Sequence, residues 1–257
     1  MYKPDEIAEV TVSVGEKKAS MPIWKMIVLG MFAGAFIALA GVAATFGNVY
    51  GGKIAGACIF PAGLAMVIIA GSELFTGNNL MSMALAKGKI SFGELVKNWA
   101  FVFLGNLIGA MLVALIVVLS GVFDNISETV VATANAKVGM GMGEAFLRGV
   151  LCNFLVCIAV WMAFGAKTVS GKILAVFFPI MVFVLCGFEH SVANMFYVPA
   201  GIFENMLHGI AGGPLNFGGF LVYNLLPVTL GNIVGGAVLV GGGYYLAYVK
   251  KQKVCKK

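Results

Sequence analysis

The chain has 257 residues, of which 60% are apolar and only 11% charged, with a formal net charge of +6. Soluble domains carry roughly 25% charged residues, so a water-soluble fold of this size has nowhere to bury so much apolar surface, and a mean hydropathy of +0.98 assigns the chain to lipid. In hydrocarbon only helices and closed barrels pair all their backbone groups, and the long apolar runs here lack the alternation of barrel strands.

Residues 1–24 read as a polar leader carrying Asp5, Glu6, Glu9 and Glu16. It lacks the basic, apolar and cleavage-site order of a signal peptide and is expected to be retained. Its Ile7, Val10 and Val14 recur on one helical face, which a partner surface at the cytoplasmic mouth would bury, making the leader a candidate gate. A six-span domain over residues 25–248 is expected next, with apolar runs near 25–46, 54–86, 98–123, 145–166, 172–198 and 216–248. Each is long enough for a hydrocarbon core of roughly 30 Å. Residues 249–257 form a basic tail.

Lysines set the expected orientation. Lys3, Lys17, Lys18 and Lys25 precede or open the first run, Lys87, Lys89 and Lys97 separate the second and third, Lys167 and Lys172 flank the turn before the fifth, and Lys250, Lys251, Lys253, Lys256 and Lys257 end the chain. The opposite side holds Lys53, Lys137 and Arg148. The positive-inside rule then places both termini in the cytoplasm, and the net charge is a topological signal rather than a sign of nucleic-acid binding; the membrane expected is the bacterial cytoplasmic membrane. The five cysteines, Cys58, Cys152, Cys157, Cys186 and Cys255, have no metal or redox spacing. Packed thiols are expected, with no metal and no cofactor.

The chain repeats itself. Leu95-Val96-Lys97-Asn98 with Leu104-Gly105-Asn106 recurs as Leu221-Val222-Tyr223-Asn224 with Leu230-Gly231-Asn232, at a constant offset of 126. Gly71-Ser72-Glu73 with Asn78 recurs as Gly187-Phe188-Glu189 with Asn194, and Gly30 to Ala40 matches Gly149 to Ala159 faintly. Each half (about 25–123 and 145–248) holds three spans, an odd number, so the halves enter the membrane from opposite sides as an inverted repeat. Such repeats place a substrate path near the midplane between interrupted helices.

The interruptions fall at Gly71 to Asn79 and Gly187 to Asn194. A mid-bilayer ionisable side chain costs roughly 2.5–3.5 kcal/mol on insertion scales, so Glu73, Glu189 and His190 must face protein or water. Thr76, Asn78 and Ser191 suit the N-cap of a helix restarting after each break, and two such helix ends aimed at the midplane favour an anion. Glu73 and Glu189 admit two readings: bonding the N–H groups of unwound backbone, or relaying protons. His190, the only histidine within a span, is either a packing residue or the polar centre of the path, and its place in the break favours the second. His208 reads as an ordinary surface residue. Phe60, Phe75 and Phe183, on the broken spans, are candidates to line the path.

The break motifs Ala70 to Gly77, Gly149 to Cys157 and Gly187 to Phe196 resemble the formate/nitrite transporter family over all six spans. Within that family the whole chain looks closest to the hydrosulfide channels of clostridia. The resemblance implies an aquaporin-like homopentamer in the lipid bilayer, one pore per protomer, and a channel or transporter rather than an enzyme. By the same resemblance the pore centre maps to His190, Thr76 and Lys137, although Lys137 by itself reads as a solvated loop charge. The constrictions map to Phe60, Leu64, Leu74, Phe75, Val156 and Phe183, and the structural support to Glu73, Glu189, Asn153 and Asn194. The permeant species implied are hydrosulfide, formate or nitrite, hydrosulfide first, and the motif residues do not separate the three. Rival classes fit less well: a membrane anchor subunit of a redox complex needs paired histidines for haem, and a water or glycerol channel needs paired Asn-Pro-Ala breaks.

Overall fold

The computed structural model describes residues 1–210 and 215–250. Residues 251–257 of the expected basic tail, including Cys255, lie outside the described residues.

The leader is a helix. Pro4 opens α1 (Pro4–Ala19), Asp5 and Glu6 occupy its first turn and Lys17 and Lys18 its last, each end complementing the helix dipole. The face it buries is Ile7, Ala8, Thr11, Val12, Gly15 and Ala19, rotated from the expected Ile7, Val10, Val14 stripe. Ile7, Ala8 and Val12 join Met81, Met83, Ala84, Leu95 and Trp161 in one apolar cluster.

The 37 residues of α2 (Ile23–Ile59) would span about 55 Å if straight, far beyond a roughly 30 Å hydrocarbon core. The excess is taken up at Gly52, whose φ of 76° and ψ of 174° reverse the chain, so that Gly47 lies against Gly56. The runs expected at 25–46 and 54–86 are therefore two helical stretches that meet at Gly52, the second carried on by α3 (Pro61–Ala70). The chain then breaks and restarts as α4 (Phe75–Asn78), passing through a 3-10 turn into α5 (Ser82–Ala86). A capping box between Ser91 and Glu94 starts α6 (Phe92–Leu119).

An unexpected helix follows, α7 (Ser127–Val138), which buries Val130, Val131, Ala134 and Val138 and packs on α10. Next come α8 (Met142–Gly165) and α9 (Val169–Cys186), the latter capped by Thr168, which accepts from the Gly171 N–H at 3.1 Å. After the second break α10 runs Ser191–His208. The last run, α11 (Phe217–Val249), includes π-helical turns at Phe220–Leu225, Val234–Gly242 and Tyr245–Val249. Among the described residues five segments are long and apolar enough to cross a membrane: Ile23–Ala70, α6, α8, α9 and α11.

Small residues set the tightest crossings. Where α2 meets α6, a methyl group on Gly34 or Gly109 would overlap backbone atoms of Asn106 or Met31. Where α8 meets α11, a methyl on Gly231 or Gly235 would overlap backbone atoms of Phe146 or Val150. These two crossings bring the asparagines of α6 and α11 against the two breaks.

Candidate functional site

Each break begins with a glycine in the left-handed region, Gly71 (φ 80°) and Gly187 (φ 70°), which ends the preceding helix. The unwound backbone is then satisfied by one buried asparagine per half. Asn106 Oδ1 accepts from the Phe75 N–H at 2.9 Å, while its Nδ2 donates to the carbonyls of Gly30 at 2.8 Å and Glu73 at 2.9 Å. Asn232 Oδ1 accepts from the Ser191 N–H at 2.9 Å, and its Nδ2 donates to the carbonyls of Gly149 at 2.8 Å and Glu189 at 3.0 Å. The N–H groups of Glu73 and Glu189 donate to Leu29 and Arg148 carbonyls at 3.2 and 3.3 Å. Buried amides must be paired, and here the repeat pairs them twice with the same residue types.

The glutamates do a different task from the backbone bonding considered above. Glu73 lies 2.6 Å from Lys18 Nζ and accepts from Asn78 Nδ2 at 2.7 Å; Glu189 lies 2.9 Å from Lys137 Nζ and accepts from Asn194 Nδ2 at 2.6 Å. Asn78 and Asn194 also donate to Asn98 and Asn224, at 2.9 and 2.8 Å. Asn98 and Asn224 in turn donate to the backbone carbonyls of Lys18 and Lys137, at 3.1 and 3.0 Å. A buried carboxylate gains more from an ammonium group and an amide than from neutral N–H groups alone, and the asparagines leave the backbone free of it. Lys137 is thus an ion-pair partner on α7, not a solvated loop charge.

Nor are Thr76, Asn78 and Ser191 the caps. Leu74 and His190 occupy the N-cap positions of α4 and α10. His190 caps its own helix: Nδ1 accepts from the Ala193 N–H at 3.0 Å. With Nδ1 occupied as an acceptor, the neutral ring carries its hydrogen on Nε2, which lies 3.0 Å from Thr76 Oγ1. Nε2–H therefore donates to Thr76, and the threonine hydroxyl keeps its own hydrogen for a further acceptor. The Phe183 ring stacks on the imidazole at 5.8 Å and 13°, and Phe60 meets Phe183 edge-on, also at 5.8 Å.

His190 sits at one wall of a chamber of about 10 Å³ whose other walls are Ile37, Phe60, Leu64, Leu74, Val156, Ile180 and Phe183. A space of that size holds about one water-sized particle. Leu64 and Leu74 also border a larger cavity of about 240 Å³ on the α1 side, lined by Val14, Lys18, Glu73 and Lys172 among others. Phe60, Phe183 and His190 also border a cavity of about 180 Å³ on the opposite side, with Thr45, Asn48, Lys137, Glu189 and Tyr197. The three spaces lie in series, two polar vestibules separated by an apolar neck with one histidine in it.

Five of the six expected constriction residues line the neck. Phe75 does not. It opens α4, and its ring packs edge-on against Trp99 and Phe103 of α6 at 6.0 and 5.0 Å. Asn153 sits behind the neck, donating to the carbonyls of Asn232 at 2.7 Å and Thr76 at 3.3 Å, and Cys157 Sγ also donates to Thr76, at 3.4 Å. His208 is part of a cluster, 3.4 Å from Glu204 and 3.7 Å from Asp124. Sequence reasoning missed Ile37, Ile180, Lys18 and the bonding roles of Asn98, Asn106, Asn224 and Asn232. For Lys18 a signal existed: it precedes Lys137 by 119 residues, the offset of Gly30 from Gly149. Among the described residues no group of three or more His, Cys, Asp or Glu side chains is arranged to hold a metal ion.

Comparison with known proteins agrees across nearly the whole chain. The family model for formate/nitrite transporters matches residues 5–246. Transporter YrhG of Bacillus subtilis is 43% identical, over 99% of this chain and 97% of its own. The formate channel FocA of Escherichia coli K12 is 37% identical, over 96% and 95%. Among solved structures, a pentameric formate channel with formate bound superposes with a TM-score of 0.77 at 37% identity, covering 89% of this chain and 98% of that one. An ion channel of the same family superposes at 0.83 and 31%, covering 94% and 98%. The chain belongs to the formate/nitrite transporter family, a family of membrane transporters and not of enzymes.

Proposed function

We propose that the protein is a membrane channel for small monovalent anions of weak acids, with the neck around His190 and Thr76 as its selectivity element. The observation that carries this is the series of spaces: two charged vestibules joined by an apolar chamber of about 10 Å³ with His190 in its wall. Apolar necks reject hydrated ions. Stripping an ion of water costs several kcal/mol even in a relaxed protein site, and one hydrogen bond to a charged group offsets about 1.5–3 kcal/mol. A weak-acid anion, which shares a proton with its donors readily, crosses such a neck most easily.

His190 acts here as a neutral donor. A second ring proton would have to sit on Nδ1, which accepts from Ala193, so forming the imidazolium would break the cap of α10. The Nε2–H polarises the Thr76 hydroxyl, which therefore supplies the hydrogen bond to the anion, and a full proton, where one is taken up, comes from vestibule water. Lys18 and Lys137, each beside its glutamate, support the two mouths.

We put hydrosulfide first as the permeant anion, on the resemblance of the whole sequence alone. Formate is the second reading, favoured by relatives named as formate channels; nitrite is the third, from the family whose model matches the chain. The architecture proposed is six crossings in two inverted halves, supported by the chain reversal at Gly52 and by the paired asparagine bonds of the breaks. Five copies per assembly are proposed from the pentameric neighbour, the bacterial cytoplasmic membrane from the bacterial relatives, and both termini inside from the lysine distribution. The test is flux of hydrosulfide, formate and nitrite into proteoliposomes over a pH series, for wild type and His190→Phe. His190→Phe, which keeps the volume and removes both ring nitrogens, is expected to lower flux at least tenfold or change the order of the three anions. Unchanged flux and order would refute the role of His190.

A further inference from the structure

The two vestibules differ in charge. The one opposite α1 has a single cation and a single carboxylate, Lys137 and Glu189, joined at 2.9 Å. The one on the α1 side has two cations, Lys18 and Lys172, against one carboxylate, Glu73. Lys18 is committed to Glu73 at 2.6 Å. Lys172 makes no ion pair among the described residues, which leaves one uncompensated positive charge at this mouth and none at the other.

Stability does not account for its position. Lys172 is in the first turns of α9, four residues after the Thr168 cap, where the positive end of the helix dipole disfavours a cation. Its repeat mate Lys53 is exposed and borders neither vestibule. The two halves share their ion pairs and differ in this lysine.

We propose that Lys172 is an anion-capture residue that makes the α1-side mouth the higher-affinity entrance of the pore. This rests on the anion-channel reading above. An unpaired ammonium in a cleft with low-dielectric walls raises the local anion concentration and the rate of entry. At 10 mM ionic strength, where the Debye length is roughly 30 Å, one charge in the wall of the vestibule is expected to change entry by about three- to tenfold. At physiological salt the screening length falls to about 8 Å and most of the effect disappears.

The experiment uses oriented membrane vesicles, right-side-out and inside-out, with the α1 face assigned by protease access to the amino-terminal residues and formate as the probe. At 10 mM ionic strength, wild type is expected to show about a three- to tenfold lower half-saturation concentration for entry from the α1 face than from the opposite face. Lys172→Gln abolishes that difference, Lys172→Arg preserves it, and Lys53→Gln leaves it as in wild type. Thermal unfolding of Lys172→Gln checks that it folds, as the dipole argument requires. A side difference that survives Lys172→Gln at low salt, or that does not shrink with salt in wild type, overturns the proposal while leaving the channel reading intact. Wild-type vesicles carrying no formate, nitrite or hydrosulfide at all would overturn both.

Discussion

Asn232→Leu is the perturbation that tests the architecture of the breaks most directly. The side chain is fully buried and makes three hydrogen bonds, at 2.8, 2.9 and 3.0 Å, to Gly149, Ser191 and Glu189. Leucine matches its shape and makes none of them. The Gly149 carbonyl keeps its place in the α8 helix, so the serious loss is at the break, where the Ser191 N–H and Glu189 carbonyl lose their side-chain partner. An orphaned buried group costs about 1–3 kcal/mol, and a satisfied hydrogen bond is worth about 0.5–1.5 kcal/mol. The sum expected is about 2–4 kcal/mol, which for a chain of this size lowers Tm by on the order of 5–15 °C. His190 immediately precedes Ser191, so anion flux should fall with stability. Thermal unfolding of the purified protein and proteoliposome flux measure the two effects. Thr229→Val is the control, because the Thr229 hydroxyl is buried without a hydrogen-bond partner and its loss should be neutral or stabilising. Asn232→Leu with wild-type Tm and flux, or a Thr229→Val loss as large, would refute the reasoning.

Two further predictions concern the backbone and the ion pairs. Gly52→Ala meets no atom within 4 Å, so its effect isolates the φ of 76° at the chain reversal; a loss of about 1–3 kcal/mol is expected, and a Tm at or above wild type would show that the reversal does not need glycine. Glu189→Gln strands Lys137, whose side chain is only 17% exposed, and should cost about 3 kcal/mol or more. Lys137→Met combined with Glu189→Gln should cost less than the two single losses added together, a double-mutant coupling of about 1–3 kcal/mol measured by thermal unfolding; strict additivity would mean that the pair contributes nothing.

Much of the scaffold was legible because lipid imposes strong rules. Long apolar runs called for helices, and the glycine-led breaks at Gly71 and Gly187 are where helices end in the structure. The constant offset of 126 marked Asn106 and Asn232 as a pair, and the structure gives both the same bonding task. Other features were hidden for physical reasons. α7 mixes Glu128, Asn135 and Lys137 with a short apolar face, and only packing on α10 makes it a buried helix. The leader read as a polar segment with one apolar face, and no spacing rule joined Lys18 to Glu73, 55 residues away. Phe75 stood next to Leu74 in a pore motif, but adjacent residues on a restarting helix point in different directions, and its ring turned to α6.

By itself the sequence determined the solvent, the helical class, the positions of the breaks and the presence of a repeat, since each follows from local composition, spacing and the cost of unpaired groups in hydrocarbon. Which polar atoms meet was left to the tertiary structure. Thr76 and His190 are 114 residues apart and touch only because the two breaks lie side by side. The direction of the hydrogen in that contact depends on a third group, the Ala193 N–H that occupies Nδ1. Spacing along a chain constrains contacts within a helix; contacts between halves depend on how closely the helices pack, here at the glycines of α2, α6, α8 and α11.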